Sequence, residues 1–542
     1  MAKDSAASLK RHRTTTPVLS RPPAGLELLP IEILHMVLGY LDIDYTGKLP
    51  PGPPDTYFRG DQQKSDQPSW YSLKLQPLLR FCLISKCMYN VIQPLLYQEF
   101  MLGYGDSWRS DQYTWGGRLV SYIRTVALRR DLAALVKRIC IHPFLLQGFY
   151  EGKKISRQHV FWGSEFMQCL AEPALFSENE VQDAYRQLTA ALKTQRIMER
   201  LSAADLVTVL ITLLPNLQHC SIQVDTVHNE IVRAGGFRMA GVSSLPIKTL
   251  DLTHSAAGNS RVRLFDLGRR AGAFLAVCPG LETLNLHMCG WVSQIPPLPN
   301  LKILSLTFSQ LTAKDLERLL SCCTGLRSFT FEGDWRIFGY WFEAHSSGID
   351  NFLPSDAVRS LRRHKETLES VHLDLRNREP RRPIYNSPEG PFNFRDFPVL
   401  QHLFINGDEF RPQYWEGIED DQILLTQALP SSLVSLHLAG FYGSDTRLEN
   451  AVLGLAEAVL NGRFLNLKEI NWDSDAKLGP DSMVMDKLAA TGVSFGYESW
   501  PLTKSTLGYG DYNERSMVPT MCGYSEEIAL IQPLPDEDDE DL

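Results

Sequence analysis

The side chains able to act as nucleophiles, bases or metal ligands are scattered along this chain, and no spacing gathers them to one point. The thirteen histidines and ten cysteines include no Cys-x-x-Cys and no His-Glu-x-x-His, the spacings that hold a metal or poise a dithiol. No Gly-x-Ser-x-Gly turn presents a serine nucleophile, and no glycine-rich loop ending in Gly-Lys-Ser/Thr cradles a phosphate. The expectation is a protein without cofactor, metal site or catalytic residues, that is, one that is not an enzyme. Cys140, Cys220 and Cys278 fall within apolar periodic segments, as small buried hydrophobes do, and the cysteine pattern fits a reducing compartment.

Binding chemistry is better represented. Large aromatic residues follow several predicted strands: Trp291, then Trp335, Phe338, Tyr340, Trp341 and Phe342, then Phe410, Tyr414 and Trp415, then Phe441 and Tyr442. Such rings anchor protein–protein interfaces because they desolvate a large area at small entropic cost. Trp335, Tyr340, Trp341, Phe410, Tyr414, Trp415, Phe441 and Tyr442 are the candidate residues for holding a protein substrate; burial over the strand edges is the alternative. Arg359, Arg362, Arg363, Arg376, Arg378, Arg381 and Arg382 form a local basic run. It could accept an acidic or phosphorylated segment, or simply be a solvated face.

The elements that must position these side chains repeat. The pattern apolar-x-x-apolar-x-apolar recurs at Val136/Ile139/Ile141, Leu217/Cys220/Ile222, Leu284 with Leu286, Leu304 with Leu306, and on to Leu467/Ile470/Trp472. Its last two positions alternate as a half-buried strand requires. Helical stripes precede the strands: Leu206, Val209, Leu210, Leu213 and Leu214 behind Ser202 and Asp205; Leu316, Leu319, Leu320 and Cys323 behind Thr312; Leu448, Val452, Leu455 and Val459. Pro-Asn-Leu at 215–217 and 299–301 supplies helix-to-strand breaks. Units of this kind cannot bury their apolar faces singly and must stack. This resembles an irregular leucine-rich-repeat solenoid, and the expected class is α/β. The competing reading is a doubly wound sheet, whose strands are near-continuous apolar runs; Asn285, Ser305 and His437 interrupt these.

Two apolar blocks stand ahead of the repeats. The first contains Leu29-Pro30-Ile31-Glu32-Ile33-Leu34, with Pro30 suited to a first helical turn and Ile33, Leu34, Val37, Leu38 and Leu41 on one face. The second, Leu75 to Tyr97, predicts two short helices divided near Asn90, with Pro94 opening the last turn. The order Leu-Pro-x-Glu-Ile-Leu, then Ile84-Ser85-Lys86, then Pro94-Leu95-Leu96-Tyr97 resembles the F-box, most closely that of filamentous-fungal F-box proteins. Two features depart from that pattern: residues 42–74 replace a short connection, and Tyr89 stands where the family often has Trp.

The resemblance implies a three-helix module that docks on the Skp adaptor of a cullin ubiquitin ligase. Leu29, Pro30, Ile33, Leu34, Ile84, Ser85, Lys86, Pro94, Leu96 and Tyr97 match the positions that surround the adaptor surface. It also implies that the repeats hold a target protein, whose identity the chain does not state. A non-catalytic scaffold acting without cullin is the alternative.

The expected organisation is a disordered N-terminus over 1–25 and an F-box over 26–100 with an inserted loop at 42–74. A helical linker and inserted element over 101–200 lead to a leucine-rich-repeat domain over 201–497 and an acidic tail over 498–542. A net charge of −9 argues against a nucleic-acid surface, and part of it lies in Asp536–Asp541. No apolar stretch reaches the length of a membrane span or a signal peptide, so a cytoplasmic or nuclear location is expected.

Overall fold

The computed structural model describes residues 33–34, 77–100, 120–141, 203–224, 231–232, 235–254, 265–287, 289–334, 354–377, 393–406, 420–441, 446–474 and 483–497. Two compact units divide them. The first contains residues 33–34 and 77–96, and the second everything described from Tyr97 onward. The expected N-terminus, the loop at 42–74, the inserted element at 142–200 and the tail at 498–542 lie outside the described residues.

In the first unit, residues 77–82 are helical and are followed, after a turn, by helix α1 (Lys86–Leu96). The predicted division near Asn90 is absent. The break falls at Leu83–Ser85, where the Ser85 hydroxyl accepts a hydrogen bond from Met88 N at 3.2 Å and so caps α1. Pro94 is carried inside the last turn, where its ring costs only the bond to the Asn90 carbonyl. Leu34, Leu78, Met88, Val91 and Ile92 form this unit's own core, with Phe81, Cys82, Leu95 and Leu96 packed against it.

The second unit is a mixed α/β structure. Its strands are β1 (Glu99–Phe100), β2 (Arg138–Ile141), β3 (His219–Val224), β4 (Thr249–His254), β5 (Phe265–Asp266), β6 (Thr283–His287) and β7 (Cys289–Trp291). They continue as β8 (Ile303–Ser309), β9 (Ser328–Asp334), β10 (Ser370–Asn377), β11 (His402–Asn406), β12 (Ser435–Phe441), β13 (Glu469–Ser474) and β14 (Ser494–Tyr497). The helices are α2 (Val120–Leu128), α3 (Arg130–Ala133), α4 (Ala203–Thr212), α5 (Gly236–Met239), α6 (Leu267–Leu275), α7 (Ala313–Ser321), α8 (Pro354–Leu361), α9 (Leu424–Ala428), α10 (Thr446–Leu460) and α11 (Met483–Thr491).

Twelve strands form one sheet in the order of the chain, with β5 and β7 set aside as a pair. Every neighbouring pair is parallel. Among the described strands the order never turns back, whereas a doubly wound sheet reverses at its switch point. The sheet starts at Glu99.

Register follows the apolar pattern. Leu250, Leu284, Leu304 and Phe329 pair in succession, as do Leu252, Leu286, Leu306 and Phe331. These side chains are essentially fully buried. They share one core with the predicted helical stripes, among them Leu210, Leu316, Leu448, Val452 and Leu455. Period-two alternation sends the intervening residues to the opposite face of the sheet.

Successive layers are tied at their turns. Asn216 Nδ2 donates to the Ala134 carbonyl at 2.7 Å and Asn300 Nδ2 to the Pro279 carbonyl at 2.8 Å, which gives the two Pro-Asn-Leu breaks a physical purpose. Thr324, Thr367 and Ser432 hydroxyls do the same one layer back, to Pro299, Leu326 and Leu400. Thr312 caps α7 as expected, in a box with Asp315, whose carboxylate also accepts Val292 N at 3.1 Å. Helix α10 stops at Gly462, whose φ of 79° suits the left-handed residue that ends a helix.

Candidate functional site

The first unit is notable for what it leaves exposed. Ile33, Leu79, Leu83, Ile84 and Tyr89 are exposed large hydrophobic side chains, Leu83 at 86% and Ile84 at 61%.

The expected adaptor residues divide by position. Ile33 and Ile84 are exposed, as is Lys86. Ser85, Pro94, Leu96 and Tyr97 are half-buried, Tyr97 falling in the second unit. Leu34 is 3% exposed and packs inward among Leu78, Met88 and Ile92. Leu29 and Pro30 lie outside the described residues. Leu79 and Leu83, which are not among the expected adaptor residues, are also exposed, and Leu79 stands beside the buried Leu78.

Of the candidate substrate residues, Trp335, Tyr340, Trp341, Phe410, Tyr414, Trp415 and Tyr442 lie outside the described residues, and Phe441 ends β12. Trp291, at the end of β7, is 46% exposed. The described residues of the basic run fall in two places. Arg359 pairs with Asp356 on α8, and Arg362 and Arg363 follow it exposed, ahead of β10. Arg376 is near the far end of β10, about 20 Å along the strand from its start at a rise of ~3.3 Å per residue. Arg378, Arg381 and Arg382 lie outside the described residues.

The sheet face opposite the helices carries a polar network that the sequence did not announce. His219 Nε2 lies 2.5 Å from Asp251 Oδ2, and Asn285 Nδ2 donates to Asp251 Oδ1 at 2.7 Å. The three residues join β3, β4 and β6, and all are buried. His219 Nδ1 has no hydrogen-bond partner among the described residues. His287 Nδ1 lies 2.8 Å from Thr307 Oγ1, and burial pushes the His287 imidazole down to about 3, so it is neutral at ordinary pH.

Further along the same face, Glu332 and Asp374 are register partners, with His372 Nε2 3.5 Å from Glu332 Oε1. The His372 ring stacks on Phe404 at 3.8 Å, and Phe404 meets His437 at 4.7 Å. Among the described residues these contacts tie neighbouring strands together across the face. Burial raises the Cys278 and Cys323 thiols to about 12, which keeps both protonated at ordinary pH. Among the described residues no cluster of His, Cys, Asp or Glu could hold a metal ion, and no helix is long and apolar enough to cross a membrane.

Compared with known proteins, the sequence matches no family model and no curated protein.

Proposed function

We propose that this chain is a substrate receptor of a Skp–cullin–F-box ubiquitin ligase. In this reading the first unit is the F-box and docks the adaptor, and the second is an irregular leucine-rich-repeat solenoid that holds a target protein. The observation that carries it is the first unit: a small helical body with its own core and five exposed large apolar side chains, of which Ile33 and Ile84 are among the residues that resemble an F-box. The second unit adds support, because parallel strands in chain order with intervening helices are what stacked repeats produce. Such a protein contributes proximity, bringing a target to a conjugating enzyme, and no chemistry of its own.

Affinity purification of the full chain, followed by mass spectrometry, tests the reading. Recovery of a Skp-type adaptor with a cullin supports the receptor. Adaptor without cullin replaces it with a scaffold, and recovery of neither overturns it.

A further inference from the structure

Tyr89 lies on the outer side of α1, 42% exposed, and Gln93 Nε2 donates a hydrogen bond to its phenolic oxygen at 2.5 Å. An amide nitrogen has hydrogens to give and no lone pair to offer, so the Tyr89 oxygen is the acceptor in this bond. Its own hydrogen is therefore turned away from Gln93, and no acceptor meets it among the described residues.

Helical spacing sets this pair within the face proposed for docking. Tyr89 N donates to the Ser85 carbonyl, so Ser85, Tyr89 and Gln93 follow one another at one-turn intervals, with Leu96 one turn beyond. Ser85 and Leu96 are both expected at the adaptor surface, and the hydroxyl stands on the row between them. The surrounding charge has one sign. The charged side chains in 77–96 are Arg80 and Lys86, both basic and exposed, in a chain of net charge −9. Lys86 precedes Tyr89 by one helical turn. We propose that the Tyr89 hydroxyl, positioned by Gln93, donates a hydrogen bond to a carboxylate of the adaptor and selects for it. This inference rests on the docking reading above and names the chemistry of the partner there. A partner that set an apolar group or another donor against Tyr89 would leave the hydroxyl hydrogen unpaired in a closed interface, which costs more than the bond itself contributes.

Calorimetric titration of the full chain with a purified Skp-type adaptor provides the test. Tyr89→Phe removes the hydroxyl, keeps the ring, and should weaken affinity about fivefold at an unchanged melting temperature. Gln93→Met should weaken affinity about twofold in the wild type and add nothing in the Tyr89→Phe background, because Gln93 acts only through the hydroxyl. Should Tyr89→Phe melt lower, Gln93→Met alone carries the test, its loss against none. Lys86→Met should reduce the salt dependence of binding, and an unaltered salt dependence overturns the carboxylate. Equal affinity of wild type and Tyr89→Phe overturns the inference and leaves the docking reading standing. An adaptor that fails to bind the wild type overturns both.

Discussion

His219 and Asp251 are thirty-two residues apart in the chain and meet across β3 and β4, with Nε2 2.5 Å from Oδ2 and both side chains buried. Asp251 takes a second hydrogen bond from Asn285 on β6, so one carboxylate clamps three consecutive layers. Removing either donor leaves a buried acceptor without its full complement, which costs more than the bond itself contributes.

Asn285→Ala should therefore destabilise the protein by about 1–3 kcal/mol, measured by chemical denaturation. The alternation alone would place Asn285 with Ser305 as a tolerant, outward position. Ser305 is half-buried, and Ser305→Ala should stay within about 0.5 kcal/mol. Leu284→Ala, one residue away on the core side, should cost about 2–5 kcal/mol. Equal effects at Asn285 and Ser305 would refute the clamp.

Acid should weaken the fold before carboxylates titrate. Burial pushes His287 from the ordinary 6.5 down to about 3 and also lowers His364, whose Nε2 meets the Leu320 carbonyl at 3.2 Å. Below about pH 6.5 the unfolded chain takes up protons that the folded chain refuses, so stability present above that pH is lost as pH falls. His287 contributes up to about 1.4 kcal/mol per pH unit in this window, and His364 acts in the same direction. Denaturation midpoints measured from pH 7 to 5 should fall, and His287→Gln should flatten the slope.

Helix α10 closely approaches the 3-10 turn Asp421–Ile423 at Gly454, where a Cβ would overlap the Gln422 carbonyl. Gly454→Ala would favour the helix by propensity, by up to about 1 kcal/mol, yet the overlap should dominate. The expected result is a net loss of about 1–3 kcal/mol in thermal or chemical unfolding. A stabilised variant would mean that the turn gives way freely.

In the first unit, surface and core positions should separate. Ile84→Asp should leave the melting temperature nearly unchanged, because the side chain is 61% exposed, and should abolish adaptor recovery. Leu34→Ala should cost about 2–5 kcal/mol and act through stability. Undiminished adaptor recovery with Ile84→Asp would remove this side chain from the docking surface.

Much of this architecture is present in the sequence because it is local. Apolar residues two apart determined which strand residues face the core, and Thr312 marked its own helix start. The sequence also determined where the first unit's apolar blocks lie. Tertiary structure decided the rest. Only stacking brings Asp251 between His219 and Asn285, or Phe404 between His372 and His437, since spacing between layers varies and composition does not record it. Only packing turned Leu34 inward and Leu83 outward, and only the length of β10 separated Arg363 from Arg376. Period and propensity act within one element; which faces meet is settled by burying all of them at once.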